Sequence, residues 1–255
     1  MGNNLRKVRY LRHPYLIVRT ALLPFEKRAS RKHSSRLSEY AQYSASLEEG
    51  ITKITDLAQK DVINFMADVK NSEFLRHIEL CDIMPSGMGG VSMDSRLMLY
   101  VLTRSLCPKT VVETGVASGV SSAFILNALD RNKKGDLYSV DLHYREGIAV
   151  PSEKQLGWVI PKQLRYRWHL TLGESTKVLS TLLASLVKID IFLHDSRHTY
   201  KTMMYEYTTA WKYLNYGGLL LSDDVACNDA FLDFADSVKQ KPVVIGRMGA
   251  LRKIS

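Results

Sequence analysis

Acidic side chains recur where the chain leaves a run of apolar or β-branched residues. Glu113 ends Thr110–Glu113, Asp141 follows Leu137–Val140 and Glu174 follows Trp168–Leu172. Asp195 follows Ile189–Leu193, and the pair Asp223-Asp224 follows Leu219–Ser222. An open α/β sheet binds ligands outside the carboxyl ends of its strands, so these acids would share one rim. Crowded negative charge costs stability unless a cation or a ligand offsets it. Solvated turn residues explain any one of these acids well and the set poorly. Asp195, Asp223 and Asp224 offer hard oxygen ligands from two neighbouring strand ends, which suit magnesium or another divalent cation. A cation there would lower the pKa of a substrate hydroxyl and orient it. His198, three residues beyond Asp195, offers a second route, because an imidazole with an ordinary pKa near ~6.5 suits general-base work. Asp195 and His198 are thus the candidate catalytic pair. The plainer role of His198 is to orient the following helix through Thr199 and Tyr200. His194 lies within a strand and is expected to point into packing.

The segment Val111-Val-Glu-Thr-Gly-Val-Ala-Ser-Gly119 precedes an apolar helical run, Ser121–Leu129. Strand, glycine-rich turn and helix form the usual frame of a nucleotide site. Gly115 and Gly119 allow backbone to approach a ligand where a Cβ would collide. The spacing is Glu-x-Gly-x-x-x-Gly. It lacks the third glycine of a dinucleotide site and the Lys-Ser/Thr of a phosphate-binding loop. An acidic strand end at Glu113 suits a cationic ligand, directly or through water. Asp141, about twenty residues beyond the glycines, can accept both hydroxyls of a ribose.

With these residues in this order, about 93–225 resembles the core of the class I S-adenosylmethionine-dependent methyltransferases. Glu113-x-Gly115-x-x-x-Gly119 is similar to their first motif and Asp141 to their second. Gly173-Glu174-Ser175 resembles the next, where the residue after glycine lies near the adenine. The stretch Ile191-Phe-Leu-His-Asp-Ser-Arg-His-Thr-Tyr200 looks like the signature of methyltransferases acting on small molecules and glycans. The resemblance implies S-adenosylmethionine as cofactor and a hydroxyl of a small molecule or glycan as methyl acceptor. Sugar O-methyltransferases carry an Asp after strand four and an Asp pair after strand five, the pattern of Asp195, Asp223 and Asp224. Two other readings stay open: an NAD-dependent oxidoreductase or epimerase, and a nucleic-acid-binding module. The first lacks the third glycine and an obvious Tyr-x-x-x-Lys pair. His194-Asp195-Ser196-Arg197 stands where base N-methylating enzymes carry Asn/Asp-Pro-Pro-Tyr/Phe, which argues against methylation of a base.

Alternating apolar runs and helical patterns position these residues and predict a mostly parallel sheet. The expected class is α/β: a Rossmann-like class I methyltransferase fold with seven strands. The last two strands, Val243–Ile245 and Ala250–Ile254, form an antiparallel hairpin. Residues 37–80 show helix spacing and predict a helical extension, followed by a breaker-rich loop through 92. A helix from Met93 to Leu106 opens the catalytic domain, 93–255. The helix Tyr200–Tyr213 should turn sharply at Asn215-Tyr-Gly-Gly218 into the fifth strand. Residues 143–168 form an insertion whose Tyr144, Trp158, Tyr166 and Trp168 either cover the site, stacking on an acceptor, or make a small satellite core.

The chain has 255 residues and a net charge of +9. Residues 1–36 carry ten of its 35 Lys/Arg and one of its 26 acids, so the excess charge belongs to this leader. Pro14 and Pro24 interrupt any continuous helix there. A solvated tail is the favoured reading; contact with an anionic membrane surface or with nucleic acid are the others. No apolar run spans a bilayer and no secretory pattern follows. The scattered Cys81, Cys107 and Cys227 suggest no metal spacing or disulfide frame. A cytoplasmic protein, peripheral to a membrane at most, is expected, with homo-oligomerisation open.

Overall fold

The computed structural model describes residues 34–70, 72–81, 91–142 and 154–254. The leader before Ser34, most of the 82–92 loop, and 143–153, which includes Tyr144, lie outside them.

Helices α1 (Leu37–Tyr43), α2 (Leu47–Thr55), α3 (Gln59–Val69) and α4 (Glu73–Cys81) precede α5 (Met93–Leu106). Then come β1 (Thr110–Thr114), α6 (Val120–Asn132), β2 (Asp136–Asp141), β3 (Trp168–Leu172), α7 (Ser175–Leu186) and β4 (Ile189–His194). The chain continues through α8 (Tyr200–Tyr213), β5 (Leu214–Ser222), α9 (Ala230–Ser237), β6 (Val243–Ile245) and β7 (Met248–Arg252). The seven strands form one sheet in the order β3-β2-β1-β4-β5-β7-β6. Strands β1 to β5 are parallel; β7 is antiparallel to both β5 and β6. The expected seven-stranded, mostly parallel sheet with a closing hairpin is the one observed.

Alternate residues of the central strands serve opposite faces, as strand geometry requires. Val111 and Ile191 join a core with α5 and α6, whereas Val112 and Phe192 join one with α7, α8 and α9. Ile51, Ile54, Val62, Met66 and Ile78 belong to that first core. The N-terminal helices precede the sheet in the chain and share its interior. Helix α2 starts at a side-chain cap, Ser46 accepting from Glu49 N–H, and α5 at another, Ser92 accepting from Ser95 N–H.

The junction of α8 and β5 departs from the expected turn. β5 begins at once at Leu214, opposite Ile189, and its register slips before Leu219 meets Ile191. The intervening bulge is held from outside, Gly217 N–H donating to Lys253 C=O at 2.7 Å. Gly217 takes φ +80° there, in the left-handed region that glycine alone enters freely. Ser34, Ser35 and Arg36 are tied to the α9 region: the two serines donate to Asp229 at 2.5 and 2.7 Å, and Arg36 pairs with Asp233 and Asp236.

Candidate active site

β1 runs out into a loop in which Gly115, Ala117 and Gly119 all take positive φ. The close approach each glycine permits is to the chain itself. A Cβ on Gly115 would lie 2.1 Å from the Asp195 carbonyl oxygen, and one on Gly119 would lie 2.7 Å from the Gly157 Cα. The loop is braced from the side by residues 157–159, Gly157 N–H donating to Ala117 C=O and Val159 N–H to Ser118 C=O, both at 3.0 Å.

Asp141, at the end of β2, faces this loop. Its Oδ2 accepts from Val116 and Ala117 N–H at 2.7 and 2.9 Å, and its Oδ1 from Leu142 N–H at 2.6 Å. Beside it Gly173 N–H donates to Asp141 C=O at 2.8 Å. Glu174 caps the start of α7 by position only and pairs with Lys177 at 3.0 Å, which draws its carboxyl below the usual range.

A cavity of about 320 Å³ opens over these elements. Gly115, Asp141, Gly173, Glu174, Ser175, Asp195 and His198 line it, so most of the residues singled out from sequence meet at one place. Glu113 does not line it. That residue is fully buried beneath the loop and accepts bonds from Ser122, Ser139 and Ser121. Burial pushes its carboxyl up to about 7, with the serine bonds opposing. Gly119 caps α6 just outside the wall. Trp158 and Trp168 are turned into the molecule, donating to Cys81 C=O at 3.1 Å and Ser139 Oγ at 2.8 Å. Tyr166 bonds Asp130 on α6 and is absent from the wall. Trp158 and Trp168 thus pack against the main core, Tyr166 is exposed, and none of the three lines the cavity.

The far rim of the cavity carries titratable groups. Asp195, His198 and Asp223 each present one donor atom, all within 4.8 Å of one another. His198 Nε2 stands 3.7 Å from Asp195 Oδ1 and 3.8 Å from Asp224 Oδ2, too far for hydrogen bonds. Burial, then the neighbouring Asp223, pushes the Asp195 carboxyl well above its ordinary range. Burial and Asp224 raise Asp223 to about 6 against the pull of Arg247. Burial, followed by His194, lowers His198 to about 4. The cluster is short of positive charge. Its one close guanidinium among the described residues is Arg247, at the β6–β7 turn, paired with Asp224 and 3.6 Å from Asp223.

Ligand atoms facing each other across a magnesium ion are about 4 Å apart, twice a bond of roughly 2.1 Å. Asp195, His198 and Asp223 lie within 4.8 Å of one another, so they would close by a few tenths of an ångström around magnesium or span a larger divalent cation such as calcium. Asp224, grouped with the other two acids from sequence, is instead held by Arg247.

Two participants escaped the sequence reading. Arg247 gave no local signal, because only the hairpin's return past β5 brings it to Asp224. Glu206 gave one: it falls within the buried stripe of Met203, Tyr207 and Ala210 on α8. A carboxylate on an apolar face is a place to look for a polar network.

Residues 112–225 match a family model described as a methyltransferase domain. No curated protein matches the chain by sequence. Among solved structures, a methyltransferase of Podospora anserina bound to S-adenosylhomocysteine superposes with a TM-score of 0.55 at 15% identity, covering 73% of this chain and 92% of that one. The O-methyltransferase TomG of Streptomyces achromogenes, involved in tomaymycin synthesis and solved with S-adenosylmethionine, gives 0.52 at 16%, with the same coverages of 73% and 92%. The MycE methyltransferase of the mycinamycin pathway, in complex with Mg, S-adenosylhomocysteine and mycinamycin VI, gives 0.50 at 12%, covering 73% of this chain and 56% of that one. Residues 112–225 thus match a methyltransferase domain, and the fold is the one shared by these methyltransferases solved with S-adenosylmethionine or S-adenosylhomocysteine. Those structures hold S-adenosylmethionine or S-adenosylhomocysteine, and the dinucleotide-dependent alternative finds no support. Among the described residues no helix is long and apolar enough to cross a membrane.

Proposed function

We propose that this enzyme methylates a hydroxyl oxygen of a small molecule or glycan, with the cofactor in the 320 Å³ cavity and the acceptor at its acidic rim. The observation that carries this reading is the meeting, in one cavity wall, of Asp141 with Asp195 and His198. The first sits where a ribose would, and the other two where an acceptor hydroxyl must lose its proton. Gly115, Gly173, Glu174 and Ser175 shape the cofactor's share of the wall, while Glu113 and Gly119 support the loop from behind.

Methyl transfer is an in-line displacement at carbon. The C–S bond to the sulfonium breaks as the C–O bond to the acceptor forms, and the cofactor supplies the driving force. The protein must orient the hydroxyl and accept its proton. His198 is neutral near pH 7 because its imidazole is held down to about 4. Its Nε2 faces Asp195 and Asp224 and is placed to take that proton. A divalent cation held by Asp195 and Asp223 would supply Lewis acidity, lowering the hydroxyl's pKa toward that of so weak a base. The 4.8 Å grouping also favours a second reading, with His198 as a third ligand to the cation. Manganese titration of His198→Gln separates the two: unchanged affinity supports the base, weakened affinity the ligand.

Calorimetric titration with S-adenosylhomocysteine tests the cofactor half. The chain should give a saturable heat. Asp141→Asn should weaken binding about tenfold or more, since a hydrogen bond to a charged group contributes about 1.5–3 kcal/mol. A wild-type protein that ignores the nucleoside would defeat the assignment of the cavity. Resemblance to an O-methyltransferase involved in tomaymycin synthesis and to one solved with mycinamycin VI supports a small acceptor, and acceptor profiling with free sugars and phenols addresses it directly.

A further inference from the structure

Helix α8 carries a carboxylate that the reaction above leaves unused. Glu206 is fully buried, and a charged group in such a place is costly unless its oxygens are bonded. Both are. Oε2 accepts from Thr114 Oγ1 at 2.5 Å and from His194 Nδ1 at 2.6 Å; Oε1 accepts from Ser196 Oγ at 2.7 Å.

These donors are not scattered. His194 and Ser196 are the two neighbours of Asp195, so Glu206 holds the side chains that flank that residue on both sides. Thr114 immediately precedes Gly115, the first residue of the glycine loop. Asp195 N–H donates to Thr114 C=O at 2.8 Å, and the missing Cβ of Gly115 makes room for the Asp195 carbonyl. The loop after β1 and the loop after β4 therefore touch at one point, and Glu206 holds both sides of it. The same carboxylate orients His194. Its Nδ1 carries the proton donated to Glu206, and the ring meets His198 edge-on at 5.2 Å.

We propose that Glu206 is a positioning residue: through Thr114, His194 and Ser196 it sets Asp195 and His198 at a fixed place relative to the cofactor loop. The proposal rests on the cavity being the cofactor site. An apolar side chain would fill the same volume at less cost, as replacements of buried ion pairs show. It could not hold both neighbours of Asp195. Glu206 thus couples the two halves of the site without touching either ligand.

The test uses the whole chain, labelled with ¹⁵N-histidine, as wild type, Glu206→Gln, Glu206→Asp and Ser196→Ala. Thermal melting, calorimetry with S-adenosylhomocysteine and imidazole ¹H–¹⁵N spectra are recorded for each. The Glu206→Gln protein should stay folded yet bind the nucleoside roughly tenfold more weakly. Its His194 and His198 resonances should both move. Glu206→Asp, which keeps the charge, should recover part of the affinity, and Ser196→Ala should shift His198 while leaving the melt near wild type. The proposal is overturned if Glu206→Gln binds as wild type with His198 unmoved. It is equally overturned if both Glu206 variants lose binding only in step with unfolding while Ser196→Ala is silent. A wild-type protein that gives no heat would instead sink the cofactor assignment, and the coupling with it.

Discussion

Glu113 and Arg247 show how differently two charges can serve one site. Glu113 sits under the glycine loop with its carboxyl raised to about 7 from an ordinary 4.5. Between those values the folded chain holds a proton that the unfolded chain has released. Stability from this group is therefore full below about pH 4.5 and fades as pH rises through about 7. The span is worth on the order of 3 kcal/mol. Glu113→Gln should remove that slope, so denaturant melts at pH 4.5 and 7.5 should differ less for the variant than for wild type. Equal slopes would mean that the buried carboxyl does not titrate in this range. Arg247, by contrast, is exposed and already paired with Asp224. A guanidinium there competes with any divalent cation for the same acids. Arg247→Ala should raise manganese affinity roughly tenfold in calorimetry at low salt, and less at high salt; weaker binding would show that the arginine helps to build the ion site.

At the level of elements, the order of motifs was readable because each strand is short, apolar and followed by its own polar turn. Glu113, Asp141, Asp195 and Asp223 could be placed at strand ends by that alternation alone. Contacts made across elements were not readable. Beyond its motif position, Asp141 also holds the glycine loop, because Val116 and Ala117 turn their N–H groups inward. The missing side chains of the two glycines also make room for Asp195 and Gly157. The bulge before Leu219 and the inward turn of Trp158 and Trp168 depend on packing partners tens of residues away. Helix α2 gives a direct measure of such packing. Ile51 is fully buried and would meet no neighbour in an isolated helix. Ile51→Ala should cost about 2–5 kcal/mol in chemical denaturation. A loss near zero would mean that α2 is only loosely attached.

For the whole molecule, charge and core are divided unequally. The +9 net charge lies in residues 1–36, while the helices that follow share an interior with the catalytic sheet. The boundary between leader and helices is therefore one of charge, and the boundary between helices and sheet is not physical. A chain beginning at residue 93 would expose the faces of α5 and α6 that Ile51, Val62, Met66 and Ile78 now cover. It should be recovered as aggregate, whereas a chain beginning at residue 34 should melt in one cooperative step, as single domains do. Two resolved transitions in the longer chain would show that the helices are a separate unit.

The place of β7 in the sheet also bears on how the protein is made. β7 follows β6 in the chain yet is inserted between β5 and β6, so β6 has no partner in the sheet until residues 248–252 have been synthesised. Until then the outer edge of β5, Leu219–Ser222, presents bare N–H and C=O groups to whatever strand passes by. A stall or a truncation before residues 248–252 would invite pairing between chains, and the short return strand works as a latch that closes the sheet against its neighbours.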